Sequence, residues 1–177
     1  MPKGHAKTNG APGYMGVNFL GTTRIYGTID VELFEVSTAI GPVYMRHHGG
    51  EGQRKVLVVD AQKFLKLWRN TTCDAHKTVA RGVPETWRND YKFHWAAKGF
   101  SEGASNPVPL ASINYEVSSR GLLSSLMDGG GMSRPLRVIN FNDGITRTIW
   151  LLSNGADSFP IEVSSGSADS LRQLAGV

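Results

Sequence analysis

The chain has 177 residues, of which 40% are hydrophobic and 19% are charged. This length suits one domain with a proper core, and the composition excludes the fibrous and wholly disordered classes. No apolar run approaches the roughly 18 residues of a membrane span, and the polar start lacks the apolar segment of a secretory signal, so we expect a cytoplasmic protein.

Basic residues are concentrated in the first part of the chain. Residues 1–106 carry 14 Lys and Arg against 9 Asp and Glu, whereas residues 107–177 carry 5 against 6. A basic surface in the first part could attract a polyanion such as DNA. Because no basic run is longer than Arg54-Lys55, an ordinary solvated basic face is the alternative interpretation.

The first part of the chain is predicted to be rich in β-strands. Residues 1–16 are polar and Gly-rich, which predicts a disordered lead-in. Beyond them, β-branched and aromatic residues separated by turn residues predict antiparallel strands. Two or three such strands are predicted within 17–45, at residues 24–29, 31–36 and 43–45, and residues 55–59 predict another strand. Asp60 is predicted to cap a helix whose apolar side consists of Phe64, Leu65 and Trp68.

A second helical region follows residues 70–83, which are predicted to be a loop or a short helical excursion. Pro84 is typical of the first turn of a helix, and Trp87, Tyr91 and Trp95 follow at intervals of four residues. This stripe could be a stacking platform for bases, but it also has the spacing of a buried amphipathic face. We therefore predict that this edge of the helix faces the core.

Residues 101–107 form a connection containing Gly, Ser, Asn and Pro. We place a boundary here, between a β-rich elaboration with two helices over 17–106 and a compact module over 107–177. In that module strands alternate with helices, which predicts an α/β or α+β fold. The predicted strands are 108–113, 135–141 and 159–163, and the predicted helices are 118–128, 146–152 and 168–174.

The sharpest local feature of the module is the segment Phe141-Asn142-Asp143-Gly144-Ile145-Thr146-Arg147. Gly144 permits a tight turn, and the free N–H groups and dipole at the start of the helix favour an anion. Thr146 and Arg147 add a hydroxyl and a guanidinium. The segment predicts a site for the phosphate of a nucleotide or a nucleic acid. The alternative is a capped helix whose arginine pairs with a nearby carboxylate.

Five motifs, taken in order, resemble the ParB/sulfiredoxin superfamily. They are Val108-Pro109-Leu110-Ala111-Ser112-Ile113, Leu122-Leu123-Ser124-Ser125-Leu126-Met127, Arg134-Pro135-Leu136-Arg137-Val138, Asp143-Gly144-Ile145-Thr146-Arg147, and Gly155-Ala156 with Phe159-Pro160-Ile161-Glu162-Val163. The resemblance implies a mixed-sheet α+β domain with a phosphate turn. Thr146 replaces the usual His, and Ile145 stands where sulfiredoxins carry their catalytic Cys, so sulfiredoxin activity is not expected.

Within this superfamily the chain resembles the plasmid fertility inhibition factors of the Osa and FiwA type. The similarity is carried by Asn106-Pro107-Val108-Pro109-Leu110-Ala111, by residues 143–152, and by Trp87, Asp90, Lys92 and Phe93. It implies a plasmid-encoded inhibitor of conjugative DNA transfer, acting at the cytoplasmic side of a type IV secretion system. It also implies DNA cleavage with associated nucleotide hydrolysis. The expected cofactors are then Mg²⁺ and ATP, and the expected partners are DNA and secretion or coupling proteins.

Candidate roles follow from this resemblance. Arg147 and the turn over 144–147 would hold the phosphate, and Arg134 would add a second contact. Asp143 and Glu116 are the carboxylates expected to orient water or bind a divalent cation of unknown identity.

Other candidate residues have simpler interpretations. Glu162 is a third carboxylate candidate, but it and Glu116 are better explained as solvated or helix-capping acids. His47 and His48 could suggest a metal; neighbouring side chains of a strand point to opposite faces, so we predict an exposed loop instead. Cys73, the single cysteine, is interpreted as a buried or incidental thiol.

Two other functions remain open. A non-enzymatic inhibitor could dock on the secretion or coupling machinery, which the missing His, the lack of a clear metal cluster and the large amino-terminal part favour. A nucleotide switch would use the same pocket. The sequence does not fix the oligomeric state.

Overall fold

The structure is a computed structural model that describes residues 16–49, 54–71, 76–118 and 136–177. Cys73, Arg134 and nearly all of the lead-in predicted for 1–16 lie outside these residues, as does the helix predicted for 118–128 apart from Ser118, which ends a strand. The strands are β1 (Val17–Ile25), β2 (Ile29–Thr38), β3 (Gly41–His47), β4 (Arg54–Asp60), β5 (Val108–Pro109), β6 (Ala111–Ser118), β7 (Leu136–Asp143) and β8 (Ser158–Ser164). The helices are α1 (Ala61–Arg69), α2 (Lys77–Ala80), α3 (Pro84–Trp87), α4 (Phe93–Ser101), α5 (Ile145–Ser153) and α6 (Ala168–Ala175), with a 3₁₀ turn at Gly103–Ser105.

The described strands form two mixed sheets, which confirms the predicted α+β class. The first sheet has the order β1-β2-β3-β5, and the second has the order β4-β8-β6-β7. Neighbouring strands are antiparallel except for the parallel pairs β3–β5 and β6–β8. Within the described residues, no helix is long and apolar enough to cross a membrane.

The two sheets both use strands from either side of the predicted boundary at residue 107. Strand β4 pairs along its whole length with β8, and β5 pairs with β3. The amino-terminal strands are therefore joined to the carboxy-terminal strands by backbone hydrogen bonds. The division into domains itself stays a prediction.

The strand predicted over 24–29 is wrong at its centre. β1 ends at Ile25, and β2 begins at its pairing partner Ile29. Between them Tyr26 and Gly27 adopt consecutive positive φ angles of 50° and 71°, which lie outside the extended region and are typical of a hairpin turn. This segment is therefore a hairpin turn rather than a continuous strand.

Helix α1 packs its predicted apolar side on the second sheet. Asp60 caps it by accepting a hydrogen bond from the Lys63 N–H at 2.8 Å. Phe64 and Trp68 are fully buried. The Trp68 ring lies 4.9 Å from the ring of Phe141 on β7, so the helix is anchored near the end of that strand.

The single helix predicted after Pro84 is wrong, because the chain makes two helices with a turn between them. The side chain of Asp90 accepts the Lys92 N–H at 2.8 Å in that turn. The break shifts the helical phase, so only Trp87 of the predicted stripe is buried. Tyr91 is 74% exposed and Trp95 is 60% exposed, which contradicts the predicted core-facing edge. α4 instead buries Phe93, Ala96 and Phe100.

The strand predicted over 108–113 is divided between the two sheets. β5 belongs to the first sheet and β6 to the second, and between them the Leu110 N–H donates to the Arg46 carbonyl at 2.9 Å. The later predicted elements are confirmed, with shifted ends, as β7, α5, β8 and α6.

Gly144 makes the turn from β7 into α5 with φ of 90°, a region that favours glycine. A Cβ at this position would lie 2.5 Å from the Ala111 Cα and 2.7 Å from the Ala111 Cβ. The start of α5 is therefore pressed directly against the start of β6.

We predict that Gly144→Ala lowers the free energy of unfolding by about 2 to 4 kcal/mol, because it combines left-handed strain with a backbone clash. The matched control is Gly27→Ala, since Gly27 also has positive φ but has nothing within 4 Å of its Cβ position. That variant should lose only about 1 kcal/mol. Equal losses in urea denaturation would show that the contact with Ala111 is not tight.

Candidate functional site

The predicted phosphate turn lies at the amino terminus of α5. The N–H groups in the first turn of a helix have no acceptor within the helix, and the helix dipole adds positive potential there. The Gly144 N–H already donates to Asp143 Oδ1 at 2.6 Å. Thr148, buried behind the turn, donates its hydroxyl to the Gly144 carbonyl at 3.1 Å. These contacts hold the turn in place and leave the next amides directed outward.

Arg147 is held in a fixed position beside this turn. Its Nη2 donates to Asp143 Oδ2 at 2.8 Å and to the Leu110 carbonyl at 3.4 Å. Its Nε is buried and has no hydrogen-bond partner among the described residues. The Arg147 side chain is 18% exposed, whereas that of Asp143 is 73% exposed. The guanidinium is thus oriented by the carboxylate and retains donor capacity for an acceptor oxygen.

The Asp143 carboxyl is affected by two opposing influences. Partial burial raises its pKa, but the hydrogen bond and charge of Arg147, with the Gly144 N–H, outweigh burial and hold the pKa below its usual value. Asp143 is therefore ionised at neutral pH. It is a weak general base but can accept hydrogen bonds from a nearby water.

A cavity of about 630 Å³ opens in front of the turn. This volume is typical of sites for small ligands. One wall is the segment over 141–147, which brings together the predicted residues Asp143, Gly144, Thr146 and Arg147. The rest of the lining is His76, Tyr91, Lys92, Trp95, Ala96, Val108 and Pro109.

Glu116 does not lie in this cavity. It is exposed on β6, four residues beyond Ser112, which pairs with Asp143. At about 3.3 Å per residue, Glu116 is displaced along the strand by about 13 Å from the turn. The structure therefore does not bring together the two carboxylates predicted to act as a pair. Arg134, the predicted second phosphate contact, lies outside the described residues.

Glu162 belongs to a separate cluster between the sheets. Its Oε2 lies 3.6 Å from Arg54 Nε, and its Oε1 lies 3.7 Å from His47 Nε2. His47 Nδ1 lies 3.0 Å from Glu32 Oε2. His47 ends β3 and is buried, so its predicted place in an exposed loop is wrong, whereas His48 is exposed as predicted.

A protein-made metal site is not formed by the part of the chain that the structure describes. No three His, Cys, Asp or Glu side chains are grouped there to hold a metal ion. Asp143 fits this role poorly, because both of its oxygens already accept hydrogen bonds and a guanidinium lies beside it.

Tyr91, Lys92, Trp95 and His76 are site residues that the preferred sequence interpretation missed. The signal existed, since aromatic residues alternate with basic ones at Arg88, Lys92 and Lys98, as in a platform for bases. The i, i+4, i+8 spacing favoured a core face only if one helix continued through residue 90. Because the helix is broken between α3 and α4, Tyr91 and Trp95 are exposed to solvent instead.

Comparisons with known proteins give two matches. A family model described as "Plasmid Fertility inhibition factor" matches residues 56–176. The fold is similar to the crystal structure of the gold(I) cyanide derivative of Oncogenic Suppression Activity Protein, described as a plasmid fertility inhibition factor. That similarity has a TM-score of 0.65 and 18% identity, and covers 88% of this chain and 75% of the other. No curated protein sequence matches the chain.

We predict that Arg147→Gln raises the pKa of Asp143, because burial then acts without the opposing charge. A lowered pKa stabilises the folded chain at pH values above the usual carboxyl value of 3.8, and this contribution is lost as the pH falls through the folded value. Carbon-detected NMR titration of the carboxyl measures the change.

Arg172→Gln is the matched control, because Arg172 pairs with Asp169 on α6 and not with Asp143. It should leave the Asp143 titration unchanged. An unchanged titration in Arg147→Gln would contradict the pairing of Arg147 with Asp143.

Proposed function

Because the chain belongs to the plasmid fertility inhibition factor family, we propose that it blocks conjugative DNA transfer by cleaving DNA at the Gly144 turn, with associated nucleotide hydrolysis. It would act in the cytoplasm, at the inner side of a type IV secretion system, where the transferred strand is accessible. The observation that carries this proposal is the oriented Arg147 guanidinium at the start of α5, facing a cavity of ligand size.

Phosphate binding is the first step of the proposed chemistry. A phosphate oxygen would accept hydrogen bonds from the outward amides of α5 and from the guanidinium of Arg147. The Thr146 hydroxyl lines the same cavity and can donate to a second oxygen. Donors that are fixed before the reaction stabilise charge that develops on the phosphate oxygens in the transition state.

Hydrolysis then requires an oriented water. The ionised Asp143 carboxylate is exposed at the edge of the turn and can accept a hydrogen bond from that water. The water oxygen attacks phosphorus and releases one proton to solvent, one phosphorus–oxygen ester bond breaks, and the departing oxygen takes up a proton from solvent. Glu116 has no role in this scheme, because it lies too far along β6.

The proposal includes magnesium that would reach the site together with ATP. Magnesium usually keeps several waters and binds through nucleotide phosphates with few protein ligands, and it would supply further neutralisation of phosphate charge. The described residues offer it no cage of their own. The proposed roles of Arg147, Thr146 and Asp143 are therefore contacts to phosphate and water rather than to a metal.

The second candidate function is inhibition by docking on a transfer protein without any chemical reaction. Exposed apolar residues on the first sheet favour it. Leu20, Tyr26 and Ile29 on the β1–β2 hairpin are between 41% and 66% exposed. Exposed apolar patches commonly mark surfaces for protein contact. Such a surface could bind a secretion or coupling protein and obstruct transfer by occupying it.

We expect Arg147→Gln to reduce DNA cleavage by about 100-fold or more, the typical effect of removing one donor to a transition-state oxyanion. It should also restore conjugative transfer when it is expressed in donor cells. Arg147→Lys should recover part of the activity, because it retains the charge but not the planar fork. Cleavage of plasmid DNA with magnesium and ATP, and transfer frequency in matings, are the measurements.

Arg172→Gln is again the control and should cleave DNA and suppress transfer as the wild type does. Circular dichroism and melting curves establish that each variant is folded. Full cleavage by folded Arg147→Gln would contradict the assignment of the turn. Suppression of transfer by a wild type that cleaves no DNA and hydrolyses no ATP would instead support docking.

A further inference from the structure

The wall of the cavity opposite the turn is aromatic and exposed. Tyr91 and Trp95 are four residues apart in the chain, with Trp95 on the first turn of α4 and Tyr91 in the turn just before the helix. Both side chains are more than half exposed, although large aromatic side chains normally gain by burial. Both line the same cavity as Gly144 and Arg147. The exposed surfaces of the two side chains can therefore contact a flat ligand that reaches the turn.

A lysine ammonium group lies near the ring of Tyr91 and another lies near the ring of Trp95. Lys92 Nζ lies 5.3 Å from the centre of the Tyr91 ring, and Lys98 Nζ lies 6.0 Å from that of Trp95. The His94 ring lies 4.5 Å from Trp95. Aromatic faces combined with flanking lysines are the features by which proteins hold a nucleic-acid strand without reading its sequence.

The charged groups that line the cavity favour a ligand in which a phosphate is attached to a nucleobase. Among the described lining residues, Lys92 and Arg147 carry positive charge, against one carboxylate, that of Asp143. That carboxylate is already paired with Arg147. A purely apolar partner would leave the Lys92 ammonium without a counter-charge from the lining, whereas a nucleoside phosphate matches the rings and this lysine together.

We propose that Tyr91 and Trp95 form a base-stacking subsite that receives an unpaired nucleobase while the attached phosphate lies at the Gly144 turn. This inference rests on the proposed function, because it assumes that the turn binds phosphate. Tyr91 and Trp95 would then decide which DNA is accepted. A base in a duplex is covered on both faces by its neighbours, so only a single-stranded or flipped base can stack on the ring.

Equilibrium binding of three fluorescein-labelled probes tests the subsite by fluorescence anisotropy. The probes are an oligothymidylate of about twelve nucleotides, an abasic deoxyribose-phosphate chain of equal length, and a duplex of equal length. All three carry backbone phosphates, but only the first offers unpaired bases. We expect the wild type to bind the oligothymidylate at least about tenfold more tightly than either of the others.

Trp95→Leu removes the ring face and keeps an apolar side chain. It should weaken oligothymidylate binding by about 5- to 150-fold, the range for loss of one stacked base, and leave binding of the abasic probe unchanged. Phe19→Leu is the control, because Phe19 is an exposed aromatic residue on β1 outside this cavity. It should bind all three probes as the wild type does.

The outcomes separate the subsite from the phosphate turn. Equal wild-type affinity for the oligothymidylate and the abasic probe, or wild-type affinity in folded Trp95→Leu, would overturn the base-stacking subsite. If Arg147→Gln still weakened the binding of both the oligothymidylate and the abasic probe in that case, phosphate binding at the Gly144 turn would remain supported. If Arg147→Gln weakened the binding of neither probe, phosphate binding at the Gly144 turn would be contradicted, even if Trp95→Leu weakened oligothymidylate binding.

Competition distinguishes the two sources of a base linked to a phosphate. Displacement of the labelled oligothymidylate by ATP or thymidine monophosphate would support the subsite and identify free nucleotides as its ligands. Displacement by unlabelled oligothymidylate alone would support it with a DNA strand as the ligand.

Discussion

The close approach of Gly144 to Ala111 is the constraint on which the rest of the site depends. A side chain at residue 144 would collide with the backbone of β6, and the positive φ there lets β7 turn at once into α5. The start of α5 is thereby pressed against the chain at Leu110, whose carbonyl accepts a hydrogen bond from Arg147. The same Leu110 donates its N–H to the Arg46 carbonyl of β3. The tight turn at Gly144 therefore places the Arg147 guanidinium beside Leu110, the residue at which the chain passes from the first sheet to the second.

The cavity is built from two parts of the chain that are distant in sequence. The β7–α5 turn supplies amides, a hydroxyl and an arginine, while α4 and the turn before it supply rings and a lysine. Phe100 of α4 stacks on Trp150 of α5 at 4.3 Å, so the two walls are joined through the core. A ligand that bridges the walls would therefore meet surfaces whose separation is fixed by packing.

Much of the fold could be predicted from local sequence. Apolar strand segments bounded by turn residues predicted β4, β7 and β8, the predicted helices between and after them correspond to α1, α5 and α6, and Asp60 marked a real helix start. The turn residues Gly144, Thr146 and Arg147 were predictable because a glycine between a strand and a helix has a local conformational requirement.

Long-range pairing and helical phase were not predictable in the same way. Pairing of β4 with β8 joins residues about a hundred positions apart, and no local pattern specifies it. The aromatic wall depends on one turn at Asp90, which reverses the burial expected for Tyr91 and Trp95. The partner of Arg147 was left open as a phosphate or a carboxylate, and the structure pairs its Nη2 with Asp143, while its buried Nε has no hydrogen-bond partner among the described residues.

Amide NMR spectra of the wild type, titrated with an unlabelled oligothymidylate, test most directly whether phosphate lies at the Gly144 turn with its base on α4. The account predicts that the backbone amides of Ile145 and Thr146 and the indole N–H of Trp95 shift together, with one common dissociation constant. Shifts confined to the exposed apolar hairpin around Tyr26, with unchanged signals at the turn, would contradict it.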